Sequence, residues 1–291
     1  MISSTRFGLL IVAFMSVCPV TAQVPDLSGV SIVTTQIADG VYMLEATGDV
    51  AGNIAVSVGE DGVLIVDDQW QDLSGQILEA LEDLSSGPLR FILNTHHHED
   101  HSDGNAVLSA ATGATVIAHD LARERLLSRQ AAHWPTVTYA DGLTIHFNGD
   151  AIHALAITGG HTDNDSIVMF EKANVVHLGD LFNSGRTSFP LADLSAGGNA
   201  LQILENIDRI LPLVPTDATV IAGHGPLSDR RGLVELREML AYTIEFVRTR
   251  HARGLSLEDI KAEGFSAEYD AWNHGYTSAS DWIEMIYLSL D

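Results

Sequence analysis

Six consecutive residues, His96-His97-His98-Glu99-Asp100-His101, carry four of the chain's thirteen histidines and two carboxylates. Before them, residues 90–93 form a short apolar run with strand character. After them, Gly104-Asn105-Ala106-Val107-Leu108 reads as the start of a helix. Any fold for this chain must therefore hold the cluster in a strand-to-helix loop. On extended backbone, residues two apart share a side, so His96 and His98 can face one point while His97 faces away. A tight turn after Glu99 would bring Asp100 and His101 to a second point nearby. Imidazole and carboxylate are ligand types that zinc accepts, at about 2.0–2.2 Å. The alternative is an accidental solvated run or an expression tag, but a tag would lie at a terminus and would not carry Asp100 in register.

Around this cluster the chain alternates β and α patterns. Residues 31–35, 41–45, 53–58 and 62–67 read as strands separated by Asp-Gly and Gly-rich turns, and the last ends in Asp67-Asp68. An acid at a strand end is often a cap, yet one here could brace a metal ligand. Residues 71–84 read as a helix with Ile77, Leu78, Leu81 and Leu84 on one face. Beyond the cluster, 115–118, 143–147, 151–155, 166–170, 174–178 and 219–222 read as strands. Residues 119–129, 199–211, 231–253 and 278–290 read as helices. No low-complexity linker interrupts residues 23–291, which are expected to form one domain ending in helices, with helices outside two sheets.

Three later positions add donors at strand ends: His161 in Thr158-Gly159-Gly160-His161, Asp180 in His177-Leu178-Gly179-Asp180, and His224 in Ala222-Gly223-His224-Gly225. Each alone is weak, since Gly-His-Gly is more often a turn. Together with the cluster they are strong, because ligands of layered α/β proteins gather at such ends.

Residues 1–22 read as a signal peptide. Arg6 is the only charge before Asp26, the apolar core Phe7–Met15 is too short to span a bilayer comfortably, and Val20-Thr21-Ala22 offers a cleavage site before Gln23. An uncleaved anchor or a buried strand is the alternative. Cys18 is the sole cysteine and Val17 makes it a poor lipid-attachment site, so the mature protein would have neither a disulfide nor a thiolate ligand. A net charge of -24 argues against nucleic acid and anionic membrane as partners, although a highly solvated surface also accounts for it.

The motifs, in order, resemble those of the metallo-β-lactamase superfamily, over about Val30 to Leu227. The resemblance implies a four-layer αββα sandwich and two zinc ions. It implies that His96, His98 and His161 hold one ion, that Asp100, His101 and His224 hold the other, that Asp180 bridges them and that Asp67 braces the set from behind. Two such ions, about 3.5–4 Å apart, share a water and lower its pKa, and the resulting hydroxide attacks a carbonyl. Asp100 is the catalytic candidate, because a ligand carboxylate could also orient that hydroxide. The helix opening near Gly104 is expected to aim N–H groups at the site and favour anions there.

Departures from the relatives bear on substrate. The best-known β-lactamase subclass has cysteine where this chain has Asp180, no histidine ligand at the place of His101, and a lysine for the substrate carboxylate where this chain has Asn183. Another β-lactamase subclass shares His101 but lacks the bridging acid. The ligand set here is closer to glyoxalase II and lactonases. Arg186 could replace the lysine or be an ordinary surface arginine. The expectation is an exported, periplasmic or secreted hydrolase that cleaves an amide (a β-lactam included), an ester or lactone, or a thioester in a small molecule, with no stable membrane association once processed. A mononuclear iron persulfide dioxygenase and a non-catalytic zinc-binding protein are the alternatives. His119, His146, His153 and His177 read as structural, His251 and His274 as solvated or at a rim, and Trp70 and Trp134 as core rather than pocket wall. Phe182 and Tyr276 stay open between these roles.

Overall fold

The structure is a computed structural model that describes residues 25–85 and 87–290. The segment read as a signal peptide lies outside the described residues. The first half of the chain builds a seven-stranded sheet from β1 (Ile32–Ala38), β2 (Val41–Ala46), β3 (Ile54–Gly59), β4 (Gly62–Val66), β5 (Leu89–Leu93), β6 (Thr115–His119) and β7 (Val137–Tyr139), in that order. Helices α1 (Ser74–Leu84), α2 (Glu99–Ser102), α3 (Asn105–Thr112) and α4 (Asp120–Leu126) lie between these strands in the chain. The second half supplies β8 (Gly142–Phe147), β9 (Asp150–Ala156), β10 (Ser166–Phe170), β11 (Val175–His177), β12 (Thr219–Ile221) and β13 (Ser228–Asp229). These six run in reverse order across a second sheet. Its helices are α5 (Ala200–Ile210), α6 (Arg230–Ala252), α7 (Leu257–Glu263) and α8 (Ala279–Leu288).

Three apolar layers make this the expected αββα sandwich. In β4, Val63 and Ile65 face outward onto Leu73, Ile77, Leu81 and Leu108. Leu64 and Val66, one step along, face inward and meet Ile152, Val168, Phe170 and Ile221 of the other sheet. Both faces of the strand are buried, so its sequence is continuously apolar rather than alternating. On the far side, Ile203, Ile207, Leu236, Leu240, Ile244 and Trp282 cover the second sheet. Trp282 is fully buried, and its indole N–H donates to Thr243 Oγ1 at 3.0 Å, which ties α8 to α6. Among the described residues no helix is long and apolar enough to cross a membrane.

Strand direction decides where polar side chains emerge. β4 is parallel to β5, and β11 is parallel to β12. β9 and β11 each run antiparallel to β10, so they share a direction. The carboxyl ends of β4, β5, β9, β11 and β12 carry, in turn, Asp67, the histidine cluster, His161, Asp180 and His224. At the opposite end, Asn148 (φ 53°) and Gly149 (φ 72°) form the β8–β9 turn, and the Asn148 amide donates to Ser57 Oγ at 3.0 Å and Gly62 O at 3.1 Å, pinning one sheet to the other.

The sequence reading departs from the fold in short elements. The turn expected after Glu99 is the one-turn helix α2, followed directly by α3. The helix expected over 119–129 is α4, capped by the His119 ring, which accepts from Leu121 N at 3.2 Å. β7, β13 and α7 were not read, because two or three residues at a sheet edge, or seven in a helix, give little periodicity.

Asn53 joins the sheets beside the functional edge. Its amide donates to Ala222 O at 3.0 Å and Gly225 O at 2.8 Å, and its carbonyl accepts from His177 Nε2 at 2.9 Å. Asn53→Ala leaves two carbonyls without this partner and is expected to cost about 2–3 kcal/mol of stability. Urea unfolding should show the shift in midpoint with an unchanged slope.

Candidate metal centre

Asp67 closes β4 in the left-handed region, φ 66°, and is fully buried. Its carboxylate accepts the Thr95 N–H at 2.7 Å and the Thr95 hydroxyl at 2.8 Å, and lies 2.8 Å from His101 Nδ1. That contact places the His101 proton on Nδ1 and turns Nε2 inward as a donor to metal. Thr95 Oγ1, its proton given to Asp67, lies 3.0 Å from His96 Nδ1 and accepts from it. His96 Nε2 is then buried with no hydrogen-bond partner.

His161 and His98 are oriented from the other side. His161 Nδ1 donates to Leu191 O at 2.7 Å, and His98 Nε2 donates to Asp193 Oδ2 at 3.1 Å. The remaining nitrogens, His161 Nε2 and His98 Nδ1, face each other at 2.8 Å. With their other nitrogens committed as donors, two lone pairs point at one place. A cation shared with His96 Nε2 satisfies all three, and the ligand atoms of His96, His98 and His161 do lie within 4.8 Å of one another.

Asp100, His101 and His224 form a second group. His224 Nε2 is 3.1 Å from Asp100 Oδ2 and 3.3 Å from His101 Nε2. Asp180 stands between the groups: its oxygens are 3.1 Å from His101 Nε2, 3.6 Å from His161 Nε2 and 3.7 Å from His224 Nε2. All seven predicted donors therefore converge. The orphaned His96 Nε2, the opposed lone pairs and a nitrogen–oxygen donor set without sulfur all fit zinc.

Electrostatics divides the two groups. Burial, reinforced by the neighbouring imidazoles, holds His96 well below the usual histidine range; burial and His98 bring His161 down to about 4. These rings are neutral, as metal ligation requires. Burial disfavours charge on His101 and His224 too, but Asp180 and Asp100 outweigh it, raising His101 strongly and pushing His224 up to about 10. Burial opposes ionisation of Asp100, yet His101 and His224 bring it down to about 2; the same pair holds Asp180 well below the carboxylate range. The carboxylates thus demand positive charge between them, which a divalent cation supplies without protonating ligands.

The other singled-out residues fall where their partners put them. His97 turns away and meets the Asn164 amide at 3.0 Å. His177 donates to Asn53 O and accepts from Gly179 N at 3.1 Å, so both nitrogens are structural. His153 lies between Thr144 and Glu171, His146 and His274 are exposed, and His251 is half-buried at the rim, edge-on against Tyr287. Trp70 is core and its indole N–H donates to Val50 O at 2.8 Å; Trp134 is half-buried beside Arg123; Phe182 is core and Tyr276 exposed. One expectation is corrected and one alternative decided. The Gly104 N–H does not face the site, because Asp68 Oδ1 and Gln69 O, each at 2.9 Å, take it inside. Arg186 takes the surface-arginine alternative: its Nε and Nη2 lie 3.0 and 2.5 Å from Glu235 Oε2.

Sequence reasoning missed the residues that steer the donors. Asp193 looks like a helix-cap acid, and indeed accepts from Ser195 N and Ala196 N. Asp49 looks like a turn acid, yet it lies 3.5 Å from His224 Nδ1 and accepts Gly225 N. Both belong to loops without a motif. Residues 183–193 act as a strap. Ser184 N donates to His224 O at 2.9 Å at one end, and Leu191 and Asp193 hold His161 and His98 at the other. Its middle is latched by the end of the chain: His274 N donates to Thr187 O at 2.9 Å, Thr277 N to Ser188 Oγ at 2.9 Å, and Ala192 N to Met285 Sδ at 3.4 Å.

Fold and site together define a class: an αββα sandwich with a double His/Asp metal-donor set along one edge of its sheets. The chain belongs to the metallo-beta-lactamase superfamily, whose family model matches residues 47–224. It is 31% identical over 156 residues to a hydroxyacylglutathione hydrolase of Methylococcus capsulatus, covering 52% of this chain and 54% of that protein. The corresponding protein of Rhodospirillum rubrum is 32% identical over 155 residues, with coverage of 52% and 54%. The chain thus spans about half the length of these curated relatives. Its fold is similar to that of a metallo-beta-lactamase from Pontibacter korlensis, at TM-score 0.61 and 21% identity over 72% of this chain and 99% of that one. It is also similar to the sec-alkylsulfatase Pisa1 from Pseudomonas sp., at TM-score 0.69 and 16% identity over 88% and 50%.

Because Asp193 orients His98 without being needed as a ligand, Asp193→Ala is expected to weaken metal binding about 10- to 100-fold while the fold persists. Competition with a chromogenic chelator measures this, and circular dichroism checks the fold.

Proposed function

We propose that this chain is an exported hydrolase that holds two zinc ions and cleaves an acyl bond (amide, ester, lactone or thioester) in a small molecule. The observation that carries the reading is Asp180, whose carboxylate lies within 3.1–3.7 Å of nitrogens from both donor groups. His96, His98 and His161 would hold one ion, Asp100, His101 and His224 the other, with Asp180 between them. When bound, such a pair supplies a nucleophile from water at neutral pH and polarises the scissile carbonyl.

The chain's own residues define how substrate would meet this centre. His96 and His101 are sealed, but the side chains of Asp100, His98 and His224 keep 25%, 22% and 19% of their surface exposed. Substrate therefore arrives on that side. The Asp100 carboxylate lies on that side, where it would orient the attacking water by accepting a hydrogen bond from it. Asp67 and Thr95 keep His101 and His96 in the tautomers that leave their inner nitrogens available. The two curated relatives described above are named hydroxyacylglutathione hydrolases, which supports thioester or ester cleavage ahead of β-lactam opening. The signal peptide expected in residues 1–22 carries the proposal of export.

Zinc-loaded protein should bind about two ions per chain and turn over at least one member of a panel of cephalosporins, carbapenems, acyl lactones and thioesters. Stripping the metal should abolish that turnover and added zinc restore it; His96→Ala should lose metal and turnover together. Turnover that survives stripping overturns the proposal, as does a single iron with oxygen consumption on a persulfide.

A further inference from the structure

We propose that Asp68 is a positioning residue for the second donor group: it grips α2 from behind, and its loss weakens one zinc ion while sparing the other. The inference rests on the two-ion reading above. Asp100 and His101, which form that group with His224, both stand on α2. This helix has four residues, and its N-cap, His98, makes no side-chain hydrogen bond to it. One turn of helix is not held by its own hydrogen bonds, because nucleation is unfavourable and too few bonds follow it. The placing of Asp100 and His101 therefore comes from outside the helix.

Residues 67–69 supply it, and all three are fully buried. Asp68 holds the end of α2 at two points. Its N–H donates to His101 O at 2.9 Å, and its Oδ1 accepts Gly104 N at 2.9 Å. Gln69 O shares the Gly104 N–H at 2.9 Å. The Gln69 amide donates to Gly52 O at 2.7 Å, and Gly52 N donates to Asp100 O at 3.1 Å. Two glycines mark how close the fit is. Gly104 has helical backbone angles, φ -66° and ψ -19°, that any residue adopts, yet a β-carbon there would lie 2.5 Å from Asp68 O and 3.0 Å from its Oδ1. A β-carbon on Gly52 would lie 2.3 Å from His101 Cε1. The first group hangs on other supports: His96 on Thr95, His98 on Asp193 and His161 on Leu191 O. Asp68 is thus placed to act on one group and not on both.

Zinc titration of the full chain against a chromogenic chelator reads both ions, with circular dichroism as the check on folding. The unaltered protein should take up two. Asp68→Ala should weaken the second ion about tenfold and leave the first within about twofold. Asp68→Asn should hold the second ion within about twofold of the unaltered protein, because an amide oxygen can accept Gly104 N as the carboxyl oxygen does. Gly104→Ala should weaken the second ion at least as much as Asp68→Ala, since its collision is with the Asp68 backbone, and it keeps the proposal falsifiable if the Asp68 variants fold poorly. Adding His224→Ala to Asp68→Ala should leave the remaining ion untouched, which marks it as the ion of His96, His98 and His161. Two undiminished ions in Asp68→Ala or Gly104→Ala overturn the proposal, as does equal weakening of both ions in a folded variant. An Asp68→Asn protein no better than Asp68→Ala overturns it too, because charge and not the grip would then be the cause. A single ion in the unaltered protein overturns the two-ion reading, and this proposal with it; two ions there with unmoved variants refute this proposal alone.

Discussion

The Asp67 carboxylate is the interaction on which the rest of the centre depends. It is a buried charge at the end of a buried strand, acceptable only because the Thr95 N–H, the Thr95 hydroxyl and His101 all point at it. Those contacts set the path of the chain as it leaves β5, and that path sets His96. They also fix the proton on His101, which faces Asp180. One carboxylate thus orients members of both donor groups. Because Asp67 stands in the left-handed region, its backbone conformation is itself held by this network.

The donors were readable from the sequence because their chemistry is dense and their positions follow rules. Four histidines in six residues are conspicuous, and His161, Asp180 and His224 each follow an apolar run with glycine beside them. The long helices and paired strands were readable for the same reason, periodic burial. What steers the donors was not readable. Asp193 and Asp49 act through distances set by tertiary folding, and in sequence they are ordinary turn and cap acids. Asn53 is a polar residue inside an apolar strand pattern, and only the meeting of two sheets shows why it is there. The Gly104 expectation failed for a related reason. A helix start predicts free N–H groups, but it does not predict that Asp68 will reach them from another strand's end.

The matched and unmatched parts of the chain divide the labour. Residues 47–224 contain every donor and the carboxylates behind them. The residues after 224 hold Glu235, which pairs with Arg186, and the segment that latches the strap. The portion that the family model matches therefore carries the donors, and the portion after it braces the strap that holds His98 and His161.

The latch between Ala192 and Met285 has a consequence for biogenesis. The strap touches ligands of both groups, and its midpoint rests on residues near the end of the chain. During synthesis all seven donors are made before the helix that steadies two of them. The setting of His98 and His161 is thereby completed only once residues 274–285 have docked on the strap.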